Sequence, residues 1–124
     1  MVYAGVVIYK DSKILLQLRD NNSRTENPLC WGIFGGEVKK DETPEQAATR
    51  ELREELKLTT GKLKPLLKTD FKGERMHLFK MDLLKDISEL ELKEGKSMNL
   101  FSKQEILKVR NTVPGLKKLV KDFL

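Results

Sequence analysis

Cysteine and histidine each occur only once in this 124-residue sequence, as Cys30 and His77. A single cysteine excludes an internal disulfide and is typical of a reducing compartment. Cys30 lies between Leu29 and Trp31, and we interpret it as a packed thiol. A nucleophilic cysteine needs a partnering histidine, and His77 is the only candidate. The sequence therefore favours neither a disulfide framework nor cysteine chemistry.

Long hydrophobic runs are also missing, and no segment approaches the length that crosses a membrane. Met1 leads directly into the β-rich residues 2–9 without a basic leader or a cleavage site. From these absences we expect a cytoplasmic protein that does not associate with membranes.

The composition, with 39% hydrophobic and 35% charged residues, predicts a single globular domain over residues 1–124. The net charge of +5 suits a polyanionic substrate, and it equally suits a protein that is merely soluble. No basic patch is interleaved with aromatic residues, so we expect no sequence-specific nucleic-acid partner.

Hydrophobic patterning predicts strands that alternate with helical regions. Residues 2–9 form a nearly continuous apolar run and predict a central strand, and residues 14–18 predict its hairpin partner. A polar loop over residues 19–28 has the length that often carries function. Further strands are predicted at residues 30–34, 62–72, 74–84 and 98–101, and Pro65 indicates an edge or a bulge in the second of these. Short helices are predicted to begin at Ser102 and to run from Pro114 to Leu124. This order indicates an α/β or α+β fold with a mixed sheet covered on both faces.

One helix has well-marked ends. Thr43 is a good N-cap, Pro44 suits the first helical position, and Gln46 completes a capping box. Ala48, Leu52 and Leu56 recur at helical spacing, which predicts an apolar stripe that faces the core.

Three carboxylates lie on the adjoining face of this helix, at Glu51, Glu54 and Glu55. Like charges at this spacing repel, and a hard divalent cation would relieve the repulsion. Clustered oxygen ligands without histidine or cysteine suit Mg²⁺ or Mn²⁺, not zinc. The alternative interpretation is a solvated helix face on a structural or partner-binding domain.

The spacing of these residues resembles a known motif. From Gly36 the sequence continues with five residues, Glu42, seven residues, and then R-E-L-R-E-E-L-K-L at residues 50–58. This resembles the Nudix box of the MutT-type hydrolases, G-x5-E-x7-R-E-U-x-E-E-x-G-U, in which U is a bulky aliphatic residue. Every specified position matches except Lys57, where the family usually has the glycine that ends the helix in a left-handed conformation. The resemblance covers essentially the whole chain and implies a Nudix-type α/β/α sandwich.

The resemblance also implies roles for individual residues. Nudix enzymes typically hydrolyse a nucleoside diphosphate linked to another group, with Mg²⁺ or Mn²⁺. Glu51, Glu54 and Glu55 would be catalytic metal ligands. One of them, or a carboxylate from another loop, would orient or deprotonate the attacking water, and within the box we favour Glu54 as this base. Metal ligands would also include the Gly35 carbonyl and a late acidic residue, for which Glu94 is preferred over Glu89 and Glu91. Structural support of the site would come from three further box residues: Gly36, Glu42 and Arg50.

Substrate contacts are less specific in the sequence. Trp31 and Phe34 flank the predicted site and are candidates to stack on a base, with core packing as the alternative for each. Arg19 is a candidate phosphate contact. Signatures of subfamilies that act on ADP-ribose, dinucleoside polyphosphates or coenzyme A are missing around residues 71–76, which favours a (deoxy)nucleoside triphosphate. Nucleotide sugars, dinucleotides, capped RNA and a non-catalytic nucleotide-binding module stay open, and relatives are commonly monomers or homodimers.

Overall fold

A mixed seven-stranded sheet forms the centre of the computed structural model, which describes residues 1–22 and 25–124. Its strands are β1 (Val2–Lys10), β2 (Lys13–Leu18), β3 (Trp31–Gly32), β4 (Phe34–Glu37), β5 (Lys64–Phe71), β6 (Glu74–Asp82) and β7 (Ser97–Phe101). The helices are α1 (Pro44–Leu56), α2 (Lys103–Lys108) and α3 (Leu116–Phe123), and a single 3₁₀ turn spans Ile87–Glu89. The predicted loop over residues 19–28 contains no strand or helix in its described part, while residues 23 and 24 lie outside the described residues.

Strand β1 is central, as its apolar run predicts. It pairs with β6 in parallel along nearly its whole length, from Val2 to Tyr9. On its other side it pairs antiparallel with β4 over residues 3–6 and with β2 at Tyr9 and Lys10. The sheet is therefore mixed, as predicted.

Alternate side chains of β1 enter two separate cores, one on each face of the sheet. Val6 and Ile8 pack in a cluster with the buried residues of α1. Val7 packs in a second cluster that contains Ile106 of α2 and Val120 of α3. Since successive strand residues point to opposite faces, α1 covers one face and the two C-terminal helices cover the other. This is the predicted α/β/α sandwich.

Helix α1 begins and ends where its sequence indicates. The Thr43 side chain accepts from the Gln46 amide at 3.1 Å, and the Gln46 side chain accepts from the Thr43 amide at 2.9 Å, so the capping box is complete. Lys57 follows the helix in the left-handed conformation, with φ 51° and ψ 32°. A lysine therefore occupies the conformation that a glycine adopts more easily.

The segment before α1 differs from the prediction. Residues 30–34 were expected to form one strand, but β3 and β4 are separated at Ile33, and β3 pairs with β2 whereas β4 pairs with β1. Gly35 and Gly36, expected after the strand, lie within β4 opposite Gly5 and Ala4.

Two further boundaries depend on proline and glycine. The last helix begins at Leu116, not at Pro114, because Gly115 in a left-handed conformation is its N-cap. Pro65 lies in β5 at the edge of the sheet, and the register with β6 shifts between Pro65 and Leu67. This agrees with the predicted edge or bulge. Among the described residues, no helix is long and apolar enough to span a membrane.

Candidate active site

Helix α1 places one carboxylate against strand β4. The Gly35 amide donates to Glu55 Oε1 at 3.1 Å, and Glu55 is only 2% exposed. Its burial is the main cause of a pKa raised to about 8, and the nearby charges of Glu51 and Glu94 add to it. Glu55 lies beside the apolar stripe of α1, as the helical spacing predicts, and faces the sheet.

Glu51 lies next to the second glycine of the pair. A Cβ atom on Gly36 would overlap the Glu51 carboxylate, so only a glycine allows this close approach. The Glu51 side chain is 13% exposed. A second carboxylate is thereby held between α1 and β4.

Arg50 connects the loop before α1 to the helix. Its Nε donates to Glu42 Oε2 at 2.6 Å and its Nη2 donates to Glu42 Oε1 at 3.0 Å, and Nη2 also donates to the Glu37 carbonyl at 3.1 Å. Hydrogen bonding by Arg50 is the largest cause of a Glu42 pKa lowered to about 2. The ion pair that the resemblance implies is present in this structure.

Arg50 also reaches the predicted metal ligands. Its Nη1 donates to Glu51 Oε1 at 2.8 Å and to Glu54 Oε2 at 3.3 Å. Glu54 is half-exposed, at 46%. Across residues 1–22 and 25–124, no group of three histidine, cysteine or acidic side chains has the arrangement of a ready-made metal site. Two of the predicted ligands hydrogen-bond to a guanidinium instead.

The late acidic candidates have different surroundings. Glu89 accepts from the Asp86 amide at 3.0 Å and belongs to the cap of the 3₁₀ turn. Glu91 pairs with Lys93 at 2.7 Å and with Lys57 at 3.7 Å. Burial and the charges of Glu51, Glu54 and Asp20 raise the pKa of Glu94. Of the three, Glu94 is the residue whose pKa the charges of the box glutamates raise.

A cleft of about 480 Å³ opens beside the glycine pair. Gly35 and Gly36 are part of its lining, and so is the predicted phosphate contact Arg19. Phe34, a predicted substrate contact, also borders it. Sequence reasoning missed the part of the lining that comes from segments far apart in the chain: Glu26, Phe71, Lys72, Glu74, Met76, Val113 and Pro114. No spacing in the sequence indicates that these residues meet.

A larger cleft of about 640 Å³ lies elsewhere, along residues 58–64 and 80–85. It is lined by none of the predicted site residues, and four lysines contribute to it. Of the motif residues, Gly36 lines the smaller cleft, whereas Glu42 and Arg50 line a third one of about 690 Å³ beside the first turns of α1.

The geometry agrees with a comparison against known families. A model of the NUDIX domain matches residues 1–123 of the chain. The chain belongs to the Nudix family.

Named relatives of this Nudix chain act on nucleotides according to their names. It is 33% identical over 125 residues to an ADP-ribose pyrophosphatase of Methanocaldococcus jannaschii. The aligned region covers 95% of this chain and 69% of that protein. It is 36% identical over 76 residues to a CTP pyrophosphohydrolase of Escherichia coli, covering 60% of this chain and 55% of that protein. It is also 36% identical over 83 residues to an oxidized purine nucleoside triphosphate hydrolase of Danio rerio, covering 62% of this chain and 51% of that protein. The chain spans only about half the length of the last two relatives.

Solved structures confirm the Nudix fold. A MutT Nudix hydrolase from Burkholderia pseudomallei superposes with a TM-score of 0.80 at 22% identity, covering 99% of this chain and 97% of that one. A protein from Deinococcus radiodurans gives a TM-score of 0.82 at 17% identity, covering 98% and 82%. At these identities the likeness concerns the fold alone.

The acidic residues of this Nudix chain fit a divalent cation. The donor set is made only of oxygen atoms, which suits Mg²⁺ or Mn²⁺. Glu55 and Glu94 both have raised pKa values that neighbouring carboxylates help to cause. Acidic groups that oppose each other's ionisation in a partly buried place are those that a bound cation would stabilise.

The two predicted stacking residues have different surroundings. Phe34 borders the cleft, but it is fully buried in the core under α1, and its contact with a base stays a prediction. Trp31 packs edge-on against Phe101, with ring centroids 4.8 Å apart, and is not part of the cleft lining. For both residues the structure supports the alternative of core packing, because β3 and β4 direct these side chains into the two cores.

Proposed function

We propose that this protein is a divalent-metal-dependent pyrophosphohydrolase that acts on a nucleoside diphosphate linked to another group. The observation that carries the proposal is the Glu55 carboxylate, which is buried and accepts a hydrogen bond from the Gly35 amide, while Gly35 itself lines the cleft that also contains Arg19. The cleft volume is within the range of small-molecule sites.

The metal would be Mg²⁺ or Mn²⁺, held by Glu51, Glu54, Glu55, Glu94 and the Gly35 carbonyl. When bound, such an ion neutralises charge on phosphate oxygens and acidifies a water molecule. Gly36 gives Glu51 the room it needs, and the bidentate pair of Arg50 with Glu42 fixes the loop before α1. These two features support the assignment of Gly36, Glu42 and Arg50 to structural roles.

In the reaction, the oxygen of a water molecule bonds to phosphorus while the anhydride P–O bond breaks. The proton of the water needs a carboxylate to receive it, and we assign this role to Glu54. Glu54 is the most exposed of the three box glutamates, which leaves its carboxylate accessible to water. Arg19 would bind a phosphate group of the substrate, because its guanidinium can donate two hydrogen bonds to one phosphate.

The substrate we favour is a (deoxy)nucleoside triphosphate, which would yield a nucleoside monophosphate and pyrophosphate. Two of the three relatives have names that specify a triphosphate. ADP-ribose is a second candidate, because the relative that covers 95% of this chain is named an ADP-ribose pyrophosphatase.

The experiment is a hydrolysis assay on a panel of nucleoside triphosphates, ADP-ribose, nucleotide sugars and dinucleotides, with Mg²⁺ or Mn²⁺. We expect monophosphate and pyrophosphate from a triphosphate, and a loss of turnover of at least about 100-fold in Glu54→Gln. Glu45→Gln makes the same change in the first turn of α1 and should keep full turnover. Activity on no member of the panel would contradict the proposed function, and full activity in Glu54→Gln would contradict the assignment of the base.

A further inference from the structure

The loop that carries Glu94 is hydrogen-bonded through its backbone to two elements that are distant from each other in the chain. On one side, the Lys93 amide donates to the Glu55 carbonyl at 2.7 Å and the Glu91 amide donates to the Leu56 carbonyl at 3.4 Å. On the other side, the Lys96 amide donates to the Leu18 carbonyl at the end of β2 at 2.8 Å. The loop therefore bridges the end of α1 and the end of β2.

Gln17 of β2 contacts this loop at Glu94 itself. Its Nε2 donates to the Glu94 carbonyl at 2.7 Å, and Gln17 is only 7% exposed. Gln17 is one of two polar or charged residues in the buried set of the described chain, and the other is Glu55. A buried amide costs stability unless it is hydrogen-bonded, so this side chain is held to a small set of orientations.

Gly95 and Asp20 complete the arrangement. Gly95 has φ of +89°, and a Cβ atom there would lie 2.7 Å from the Gln17 side chain, so a glycine is needed for the amide to pack against the loop. The Gly95 amide donates to Asp20 Oδ2 at 3.2 Å. Gln17 of β2 and Asp20, which follows that strand, thus hydrogen-bond to the carbonyl and to the N–H of the same peptide group, the one that joins Glu94 to Gly95.

We propose that Gln17 is a positioning residue that, together with Asp20, fixes the backbone at Glu94 and Gly95 and thereby directs the Glu94 carboxylate toward Glu51 and Glu54. The inference rests on the proposed function in one respect, namely that Glu94 helps to hold the metal ion. Outer partners of metal ligands commonly change metal affinity by about 10–100-fold when they are removed.

A merely structural Gln17 and a positioning Gln17 have different consequences. If Gln17 only fills the core, its replacement lowers stability and leaves the affinity of the folded protein for Mn²⁺ unchanged. If it acts through Glu94, its replacement weakens Mn²⁺ binding, and this effect disappears once Glu94 can no longer bind the ion. A double-mutant cycle separates the two cases.

The experiment measures Mn²⁺ dissociation constants of the folded chain by electron paramagnetic resonance of free Mn²⁺. The variants are Gln17→Met, Glu94→Gln and the double variant, with Gln104→Met as the control, since Gln104 is exposed in α2. We expect about 10-fold weaker binding in Gln17→Met, no further loss when it is added to Glu94→Gln, and unchanged binding in the control. Unchanged Mn²⁺ affinity in Gln17→Met, or additive losses in the double variant, would overturn the inference.

Asp20 provides a second route if Gln17→Met fails to fold, because its side chain is partly exposed. Asp20→Ala removes the acceptor for the Gly95 amide and should weaken Mn²⁺ binding several-fold, whereas Asp20→Asn retains an acceptor oxygen and should restore most of it. Equal Mn²⁺ affinity in Asp20→Ala and the wild type would count against the inference.

The result is separable from the proposed function. Mn²⁺ binding that depends on Gln17, in a protein that hydrolyses no nucleotide, would support the inference and contradict the function. Normal hydrolysis, together with Mn²⁺ binding that is the same with and without Gln17, would support the function and contradict the inference. A wild-type chain that binds no Mn²⁺ would contradict both.

Discussion

Gly36 and the carboxylate of Glu51 lie so close together that no Cβ atom fits between them. The atom in the way is the far end of a flexible side chain, so Gly36→Ala should leave the fold intact and displace Glu51. We expect Mn²⁺ binding to weaken by about 10-fold or more, with little change in melting temperature. Calorimetric titration with Mn²⁺ and a thermal melt measure the two quantities.

The matched control is the neighbouring Gly35→Ala. There the added Cβ would overlap the Ala4 carbonyl, which is backbone in the central strand and cannot move aside. Gly35→Ala should therefore lower the melting temperature itself. Equal melting temperatures for the two variants would show that the overlap at Gly35 is relieved in some other way.

The buried Glu55 predicts an unusual dependence of stability on pH for the metal-free protein. Its pKa is about 4.5 when unfolded and about 8 when folded. Below pH 4.5 both states are protonated, and between pH 4.5 and 8 only the unfolded state loses the proton. The contribution of Glu55 to stability is therefore fully present below pH 4.5 and is lost as the pH rises to about 8.

Glu55→Gln should remove this slope. In EDTA, we expect the variant to melt at a higher temperature than the wild type at pH 8, with the difference shrinking toward pH 5. Glu45→Gln, which leaves Glu55 in place, should keep the wild-type dependence. A difference between wild type and Glu55→Gln that is constant over this pH range would show that Glu55 ionises normally.

The bidentate geometry of Arg50 predicts that a conservative change will not be tolerated. Lysine retains the charge, but its single ammonium group cannot reproduce the two parallel hydrogen bonds to Glu42 together with the hydrogen bond to the Glu37 carbonyl. Arg50→Lys should lower the melting temperature and weaken Mn²⁺ binding by about 10-fold. The same substitution at the exposed Arg53 of this helix should change neither, and wild-type Mn²⁺ affinity in Arg50→Lys would refute the proposed support role.

The left-handed Lys57 predicts a stabilising substitution. This conformation costs an L-residue about 1–2 kcal/mol, and glycine avoids that cost while losing about 0.5–1 kcal/mol through the entropy of the unfolded chain. The ion pair of Lys57 with Glu91, at 3.7 Å between exposed side chains, contributes little. Lys57→Gly should raise the free energy of unfolding by about 0.5–1 kcal/mol in urea denaturation, whereas Lys57→Ala, which keeps the Cβ atom, should give no gain.

Features encoded over a few residues were predictable from the sequence. The cap at Thr43, the apolar stripe of α1 and the position of the carboxylates beside it all depend on helical spacing, and the structure confirms each of them. The central position of β1 was predictable because its apolar run needs cover on both faces.

Features that depend on distant segments were not predictable in this way. The division into β3 and β4 depends on which neighbour each strand pairs with, and the residues before the glycine pair do not encode that choice. The burial of Phe34 follows from the same pairing. The association of Glu94 with the box glutamates was expected only from the resemblance to the family, and the hydrogen bond from Gln17 to the Glu94 carbonyl joins parts of the chain that no local pattern connects.

The bulge at Pro65 has a consequence beyond the register of one strand pair. Proline offers no amide hydrogen, and its strand, β5, also carries Lys64 and Lys68 along the outer margin of the sheet. An edge strand that has an irregular register, charged side chains and a missing backbone amide donor is a poor template for pairing with a strand from another molecule. The protein thereby gains protection against edge-to-edge aggregation on the side of the sheet that β5 closes.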